Sequence, residues 1–340
     1  MRKIIIAAVL LSGAVSVHAQ QRNPYMSEGY YRVWTDSLQA AIDADIERYR
    51  KADTVILLPD VRPGSRVKVE QTGHEFLFGS NIFLFGQLGS QDRNSRYEDC
   101  FGTLFNGATV PFYWKTLEPE KGHPRYTADS PGIYRRPAPD PVVEFCLSKG
   151  IRMKGHALIY GIRSWGHPEW MPEDRDAMDT EFEKHIRDIA SRYGGTIPNW
   201  DVVNASLDQH ERGLMPDDYT WKCYDWAMRC FPEGTTFNTN ECDLRWGPQK
   251  RYVRYVRDLV SRGIKIDYVG VQMHIFDPRE ADLIARGEYK GQLMPDRMAA
   301  TLDVLKDAGR PIYISEVTVS APDSTERGRQ IQKEIARNLY

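Results

Sequence analysis

Two carboxylates in this chain sit where candidate strands end: Glu316 in PIYISEV, Pro311 to Val317, and Glu241 in FNTNECD, Phe237 to Asp243. A carboxylate at such a position can work as acid, base or nucleophile. Other runs close on Asn81, on Gly155 with His156, on Asn204, on Asn240 and on Gln272 with His274. This set offers hydrogen bonds to hydroxyl groups and one or two carboxylates for bond breaking. It suits a phosphate poorly, because phosphate calls for Arg, Lys or exposed backbone amides. The sequence has no HExxH-type ligand spacing, so neither a metal nor a cofactor is expected. The competing structural roles are a buried ion-pair partner for Glu316 and satisfied core histidines for His156 and His274. The run WDVVNAS, Trp200 to Ser206, closes on Asn204 and continues with Ala205 and Ser206.

These residues need a scaffold that gathers strand ends. From Phe76 onward, short apolar runs alternate with polar loops and amphipathic segments, which is a βα rhythm. The expected strands are 76–80, 104–110, 152–159, 199–204, 235–240, 268–273 and 311–315. Helices are expected over 179–193, where Phe182, Ile186, Ile189 and Tyr193 share a face before Gly194, and over 324–340. Seven βα units suggest an α/β fold, an eight-stranded (β/α)8 TIM barrel whose last unit is missing from this chain. An open doubly wound sheet is the alternative, but no Gly-rich phosphate loop follows the first strand. Ahead of the barrel, Leu38, Ala41, Ile42, Ile46 and Tyr49 recur at helical spacing. Residues 54–58 and 66–71 then read as two strands of a small β appendage. The expected organisation is therefore a leader over 1–19, a helix and β appendage over 20–75, and the barrel over 76–340.

The leader reading rests on Arg2 and Lys3, the apolar run Ile4 to Val15, and Val17-His18-Ala19 as a cleavage signal. Secretion or periplasmic export is expected, without membrane insertion. The formal net charge of −2, with both signs interspersed, gives no footprint for nucleic acid or anionic membrane. Eight Trp and eighteen Tyr supply flat faces with polar tips, suited to sugar rings and equally to a core. Five Cys without paired spacing imply no disulfide framework.

In KGHALIY (Lys154 to Tyr160), WDVVN (Trp200 to Asn204), IDYVGVQMH (Ile266 to His274) and YISEV (Tyr313 to Val317), the chain resembles the family 10 glycoside hydrolases. Most members are retaining endo-β-1,4-xylanases, and the resemblance runs from about Val55 to the C-terminus. Val67 to Asn81 is similar to the β segment that introduces the barrel in plant-type members. The resemblance implies that Glu316 is the nucleophile, that His274 orients it with Gln272 nearby, and that Asn204 contacts the sugar's 2-hydroxyl. His156 would line the subsite of the attacked sugar, and Asn81 and Trp165 join the substrate-binding candidates.

The departures are as informative. The family carries its general acid where this chain has Ala205, and an acid of that kind contributes about a hundredfold to ten-thousandfold. Where the family grips the glycan with Glu and Lys, Pro111 and Tyr113 stand at the approximate positions. Glu241 closes the neighbouring strand, and strands lie about 5 Å apart, so its side chain could reach the vacated space as a displaced acid. Asp208, His210 and Glu211 in the loop after Ala205 are further candidates, although loop charges are usually solvated. Three readings follow: a retaining hydrolase of a plant-cell-wall-type glycan with a displaced acid, a catalytically inactive carbohydrate-binding protein, and a glycosidase whose substrate leaves without protonation. Family members continue into an eighth strand and helix, so the chain is expected to be a fragment or an open barrel with exposed edges.

Overall fold

The computed structural model describes residues 22–57, 61–62, 64–207, 214–243 and 249–339. The expected leader lies outside these residues, as do Asp208, His210 and Glu211. Among the described residues there are seven strands: Gly79–Asn81 (β1), Gly107–Pro111 (β2), Arg152–Tyr160 (β3), Asn199–Asn204 (β4), Thr236–Asp243 (β5), Tyr268–Ile275 (β6) and Ile312–Val319 (β7). They form one sheet in sequence order. Pairing is parallel from β1 through β6, and the Val269 amide donates to the Pro311 carbonyl at the start of β7. Helices separate consecutive strands, as parallel pairing demands. The architecture is a partial (β/α) barrel, as the alternation of apolar runs and amphipathic segments indicated.

Residues Phe76–His274 and Gly291–Thr318 form one compact unit. The helix Arg175–Tyr193 shows how the sequence builds its outer layer. Asp174 caps it by accepting from the Ala177 amide, and Met178, Phe182, Ile186, Ile189 and Tyr193 are buried along one stripe. It starts four residues before the position read from the sequence, because the N-cap is Asp174. Between helices and sheet, Trp200 is fully buried, with ring centroids of Phe112 and Phe231 at 4.8 and 5.2 Å. Gly155 is opposite Trp200 in register, and a Cβ there would fall 2.2 Å from the indole. A glycine at 155 is thus required by the close approach of that ring.

A second compact unit comprises the N-terminal residues to Glu75 together with Ile275–Lys290 and Val319–Tyr340. Here Ser27 donates its amide to Ala285, and the Asn23 side chain donates to the Gln330 carbonyl. Tyr30 is buried, with its hydroxyl 3.4 Å from Glu334. The helix Asp36–Arg50 forms as expected, capped by Thr35, but none of its residues is buried. The β appendage is corrected: the described parts of 54–58 and 66–71 contain no strand. Val55, Leu57, Val67 and Val69 are all exposed, and two short strands with neither a third strand nor a packed face are marginal in water. No helix among the described residues is long and apolar enough to cross a membrane.

Candidate active site

Two register shifts decide which side chains reach the inside of the curled sheet. In β3 and β4, Lys154, His156, Asn199 and Asp201 alternate with Gly155 and Trp200, so the first group shares the face opposite the buried indole. The β4–β5 register shifts between Asp201 and Val203, after which Asn204 lies opposite Asn240. The extra residue resets the alternation and puts Asn204 on the same face as Asp201. A matching shift between His156 and Ile159 brings Tyr160 opposite Asn204.

At the centre is Glu316, its side chain 26% exposed and therefore open to a ligand. Asn240 Nδ2 donates to its Oε1 at 2.6 Å, and His274 Nε2 lies 3.3 Å from Oε2. His156 Nε2 is 3.8 Å from Oε1. Burial works against the charge, but the His274 hydrogen bond and the nearby His156 and Lys154 outweigh it and hold the carboxyl down to about 2. The group is an anion throughout the physiological range. The His274 ring donates to Glu316 through Nε2, which leaves Nδ1 to accept from the Thr318 hydroxyl at 2.9 Å.

Below Glu316 lies a buried charged column that sequence reasoning passed over. Lys154 Nζ is 2.9 Å from Asp201 Oδ2, with both side chains almost completely buried. Asp201 also accepts from His156 Nδ1 at 2.8 Å and from Asn238 Nδ2 at 3.1 Å. Burial opposes its ionisation, yet Lys154 and His156 keep Asp201 below the usual carboxylate range. On its other side the His156 ring meets the Tyr113 hydroxyl, with Nε2 at 3.1 Å. The signal was present: Lys154 stands two residues before His156 inside a strand, hence on its face.

Asn204 Oδ1 accepts from Asn240 at 2.9 Å and from Gln272 at 3.3 Å, and Asn204 also hydrogen-bonds Tyr160. Asn240 Oδ1 accepts from Ser315 at 2.6 Å. The expected residues His156, Asn204, Gln272, His274 and Glu316 therefore converge in one cluster, joined by Tyr113, Tyr160, Asn240 and Ser315. Trp165 is 66% exposed and meets Tyr160 edge-on at 6.4 Å, and Tyr160 stacks on Tyr113 at 5.9 Å. An aromatic row thus leads outward from His156. Asn81 is exposed at the end of β1, outside the hydrogen-bonded cluster. Pro111, opposite His156 in register, is buried.

Glu241 does not converge with Glu316. It follows Asn240 on β5, with both residues regularly paired to Gly270 and Val271, so the two side chains leave opposite faces of the strand. Its carboxylate accepts from the Ser206 amide at 2.6 Å, from the Ser206 hydroxyl and from the Leu207 amide at 3.1 Å. Burial pushes Glu241 up to about 7, against the opposing pull of these bonds. The strand-separation argument gave it enough reach, but strand alternation and the loop amides turn it elsewhere. Ala205, in between, has φ +56° and donates its amide to Asn240 O at 3.0 Å. Among the described residues no group of three His, Cys, Asp or Glu could hold a metal ion.

Comparison with known proteins gives the family and the fold. The model of glycosyl hydrolase family 10 matches residues 87–339. Endo-1,4-beta-xylanase 2 of Arabidopsis thaliana is 26% identical over 281 residues, covering 81% of this chain and 24% of the plant protein. Endo-1,4-beta-xylanase B of Paenibacillus barcinonensis is 30% identical over 175 residues, covering 46% of this chain and 49% of the relative. The chain spans only 24%, 32% and 45% of three plant xylanases that it matches. Among solved structures, native xylanase 10B of Thermotoga maritima aligns with a TM-score of 0.59 at 20% identity, covering 77% of this chain and 76% of that one. Xylanase 10B of Thermotoga petrophila, solved with xylobiose, gives 0.58 at 20% identity over 77% and 76%. These likenesses share the barrel, and the family match covers most of the chain. The chain belongs to glycosyl hydrolase family 10.

Proposed function

We propose that the chain is a xylanase-like glycosidase in which Glu316 is the nucleophile and no side chain among the described residues replaces the general acid absent at Ala205. The observation that carries this reading is the ionised, quarter-exposed Glu316 carboxylate held by Asn240 and His274. In the first step a Glu316 oxygen forms a bond to the anomeric carbon while the bond from that carbon to the leaving oxygen breaks. The electron pair departs with the leaving group, which takes its proton from solvent. In the second step water attacks the anomeric carbon, the carboxylate leaves, and a proton is lost to solvent. Without a positioned acid, the first step depends steeply on leaving-group basicity. Glu241 anchors the loop after β4, and Asn204, Gln272, Tyr160 and Trp165 contact a β-linked glycan of the plant-cell-wall type. The export leader over residues 1–19 suits an extracellular polymer.

A second reading, a carbohydrate binder without turnover, is favoured by Ala205 itself. An aryl β-xylobioside with a low-pKa phenol separates the two. The glycosidase should release a burst of phenol equal to the enzyme present, form a covalent adduct visible by intact mass, and turn over faster with azide, which needs no base to attack. Glu316→Gln should abolish all three. Tight oligosaccharide binding with no burst and no adduct would establish the binder instead.

A further inference from the structure

Beside the aromatic row stand two arginines, Arg135 and Arg136, that no carboxylate pairs with among the described residues. The segment carrying them is built to a fixed shape. Arg125, buried at 5% exposure, donates to the carbonyls of Thr116, Pro131 and Arg136 at 2.7, 2.7 and 3.2 Å. Gln87 grips the same turn from the other side, donating to Ile133 O at 2.9 Å and accepting from the Arg135 amide at 2.6 Å. Arg135 has φ +59°, a left-handed conformation that costs a non-glycine residue and that these bonds hold in place.

The turn delivers Arg136 to the cleft. Its guanidinium carbon lies 3.8 Å from the Tyr113 ring centroid and 5.2 Å from that of Phe83, while Nη1 donates to Arg135 O at 2.8 Å. Tyr113 is the residue whose hydroxyl meets His156, so the cation stands one ring away from the Glu316 cluster. A guanidinium has five N–H donors in a planar fork suited to a carboxylate, and among the described residues only one has a partner. Burial lowers the Arg136 pKa, and the neighbouring charges that act on it are phenols and Arg135, not acids. Stacking on Tyr113 explains why the side chain is ordered. It leaves unexplained why a rigid turn brings a half-buried cation, with no anion beside it among the described residues, to the edge of the Glu316 cluster.

We propose that Arg136, with Arg135 at the rim, is a subsite for the carboxylate of a uronic acid residue carried by the glycan. The inference rests on the reading of the cleft as a glycan site and names the substrate class as acidic, decorated chains. The test is titration of the full chain bearing Glu316→Gln, so that ligand is bound and not consumed. The probes are a linear xylo-oligosaccharide, the same oligosaccharide bearing one glucuronic acid residue, and free glucuronate. At low salt the acidic oligosaccharide should bind roughly tenfold or more tightly than the neutral one. That ratio should shrink with added salt. Adding Arg136→Gln should bring the ratio near one, and Arg136→Lys, which keeps a cation over Tyr113 but loses the fork, should lose most of it. Free glucuronate should bind far more weakly than the acidic oligosaccharide; equal binding would make the site one for free anions and overturn the proposal. A ratio near one in the parent, with neutral ligand bound, would overturn it while leaving the glycan site standing. A preference that survives both Arg136 substitutions would overturn it too. Failure of both oligosaccharides to bind would remove the glycan reading and this one with it.

Discussion

Ala205→Glu is the substitution through which the structure speaks most directly about activity. The resemblance to family 10 puts the family's general acid at position 205, so a carboxylate restored there is expected to enter the cleft beside Glu316. The backbone at 205 has φ +56°, a strain of about 1–2 kcal/mol that Ala already bears and Glu would bear equally. The exchange should therefore leave stability nearly unchanged. A positioned general acid contributes about a hundredfold to ten-thousandfold, or roughly 3–5 kcal/mol of barrier. Steady-state rates on polymeric xylan should rise by that factor, whereas release of a low-pKa phenol, which needs no protonation, should rise far less in the glycosylation step. Ala205→Gly is the control: it relieves about 1 kcal/mol of strain, raises the melting temperature and restores no acid. A folded Ala205→Glu protein that gains less than about tenfold on xylan would refute the reasoning that the missing acid limits the site.

Glu241→Ala should cost about 1–3 kcal/mol by freeing the Ser206 and Leu207 amides, yet leave phenol release from an activated glycoside largely intact. The pH dependence has a definite sign. Glu241 is raised from about 4.5 to about 7, so its stabilising contribution is complete below 4.5 and is lost as pH rises through 7, an effect of about 3 kcal/mol. Glu316, depressed to about 2, contributes stability above 4.5 that is lost as pH falls towards 2. Denaturant unfolding across pH should thus show a decline between 4.5 and 7 that flattens in Glu241→Ala. Lys154→Met leaves Asp201 with a buried charge and one fewer counter-charge, and should cost about 3–5 kcal/mol by the same measurement. Gly155→Ala drives a methyl to 2.2 Å from the Trp200 ring and should lower stability by about 1–3 kcal/mol or more, read as a lower melting temperature.

Strands such as β2, β3, β6 and β7 were legible because each holds an apolar run followed by polar residues, a pattern that burial in a parallel sheet imposes. Their ends were less so. β1 was expected at 76–80 and lies at Gly79–Asn81, because its pairing starts where Gly79 meets Gly107. The convergence of His156, Asn204, Gln272, His274 and Glu316 was legible from motif order. What no sequence pattern disclosed was phase: the register shifts in β3 and β4 decide that Asn204 faces inward, and simple alternation decides that Glu241 does not. The 54–71 segment shows the opposite error, since alternating residues were present but no neighbouring strand accepts their backbone groups.

The amide of Asn240 cannot turn over without placing its oxygen against Asn204 and Glu316, both acceptors, and taking its donors to Ser315. Its direction is locked before any ligand arrives, so the field on Glu316 needs no reorganisation during reaction. That field stabilises a free carboxylate over one bonded to a proton or to a sugar. It makes Glu316 a reluctant attacker and, by the same amount of free energy, a willing leaving group. The low proton affinity of this side chain is therefore a property of both halves of the cycle: what the hydrogen bonds withhold from the first bond made, they return when that bond is broken.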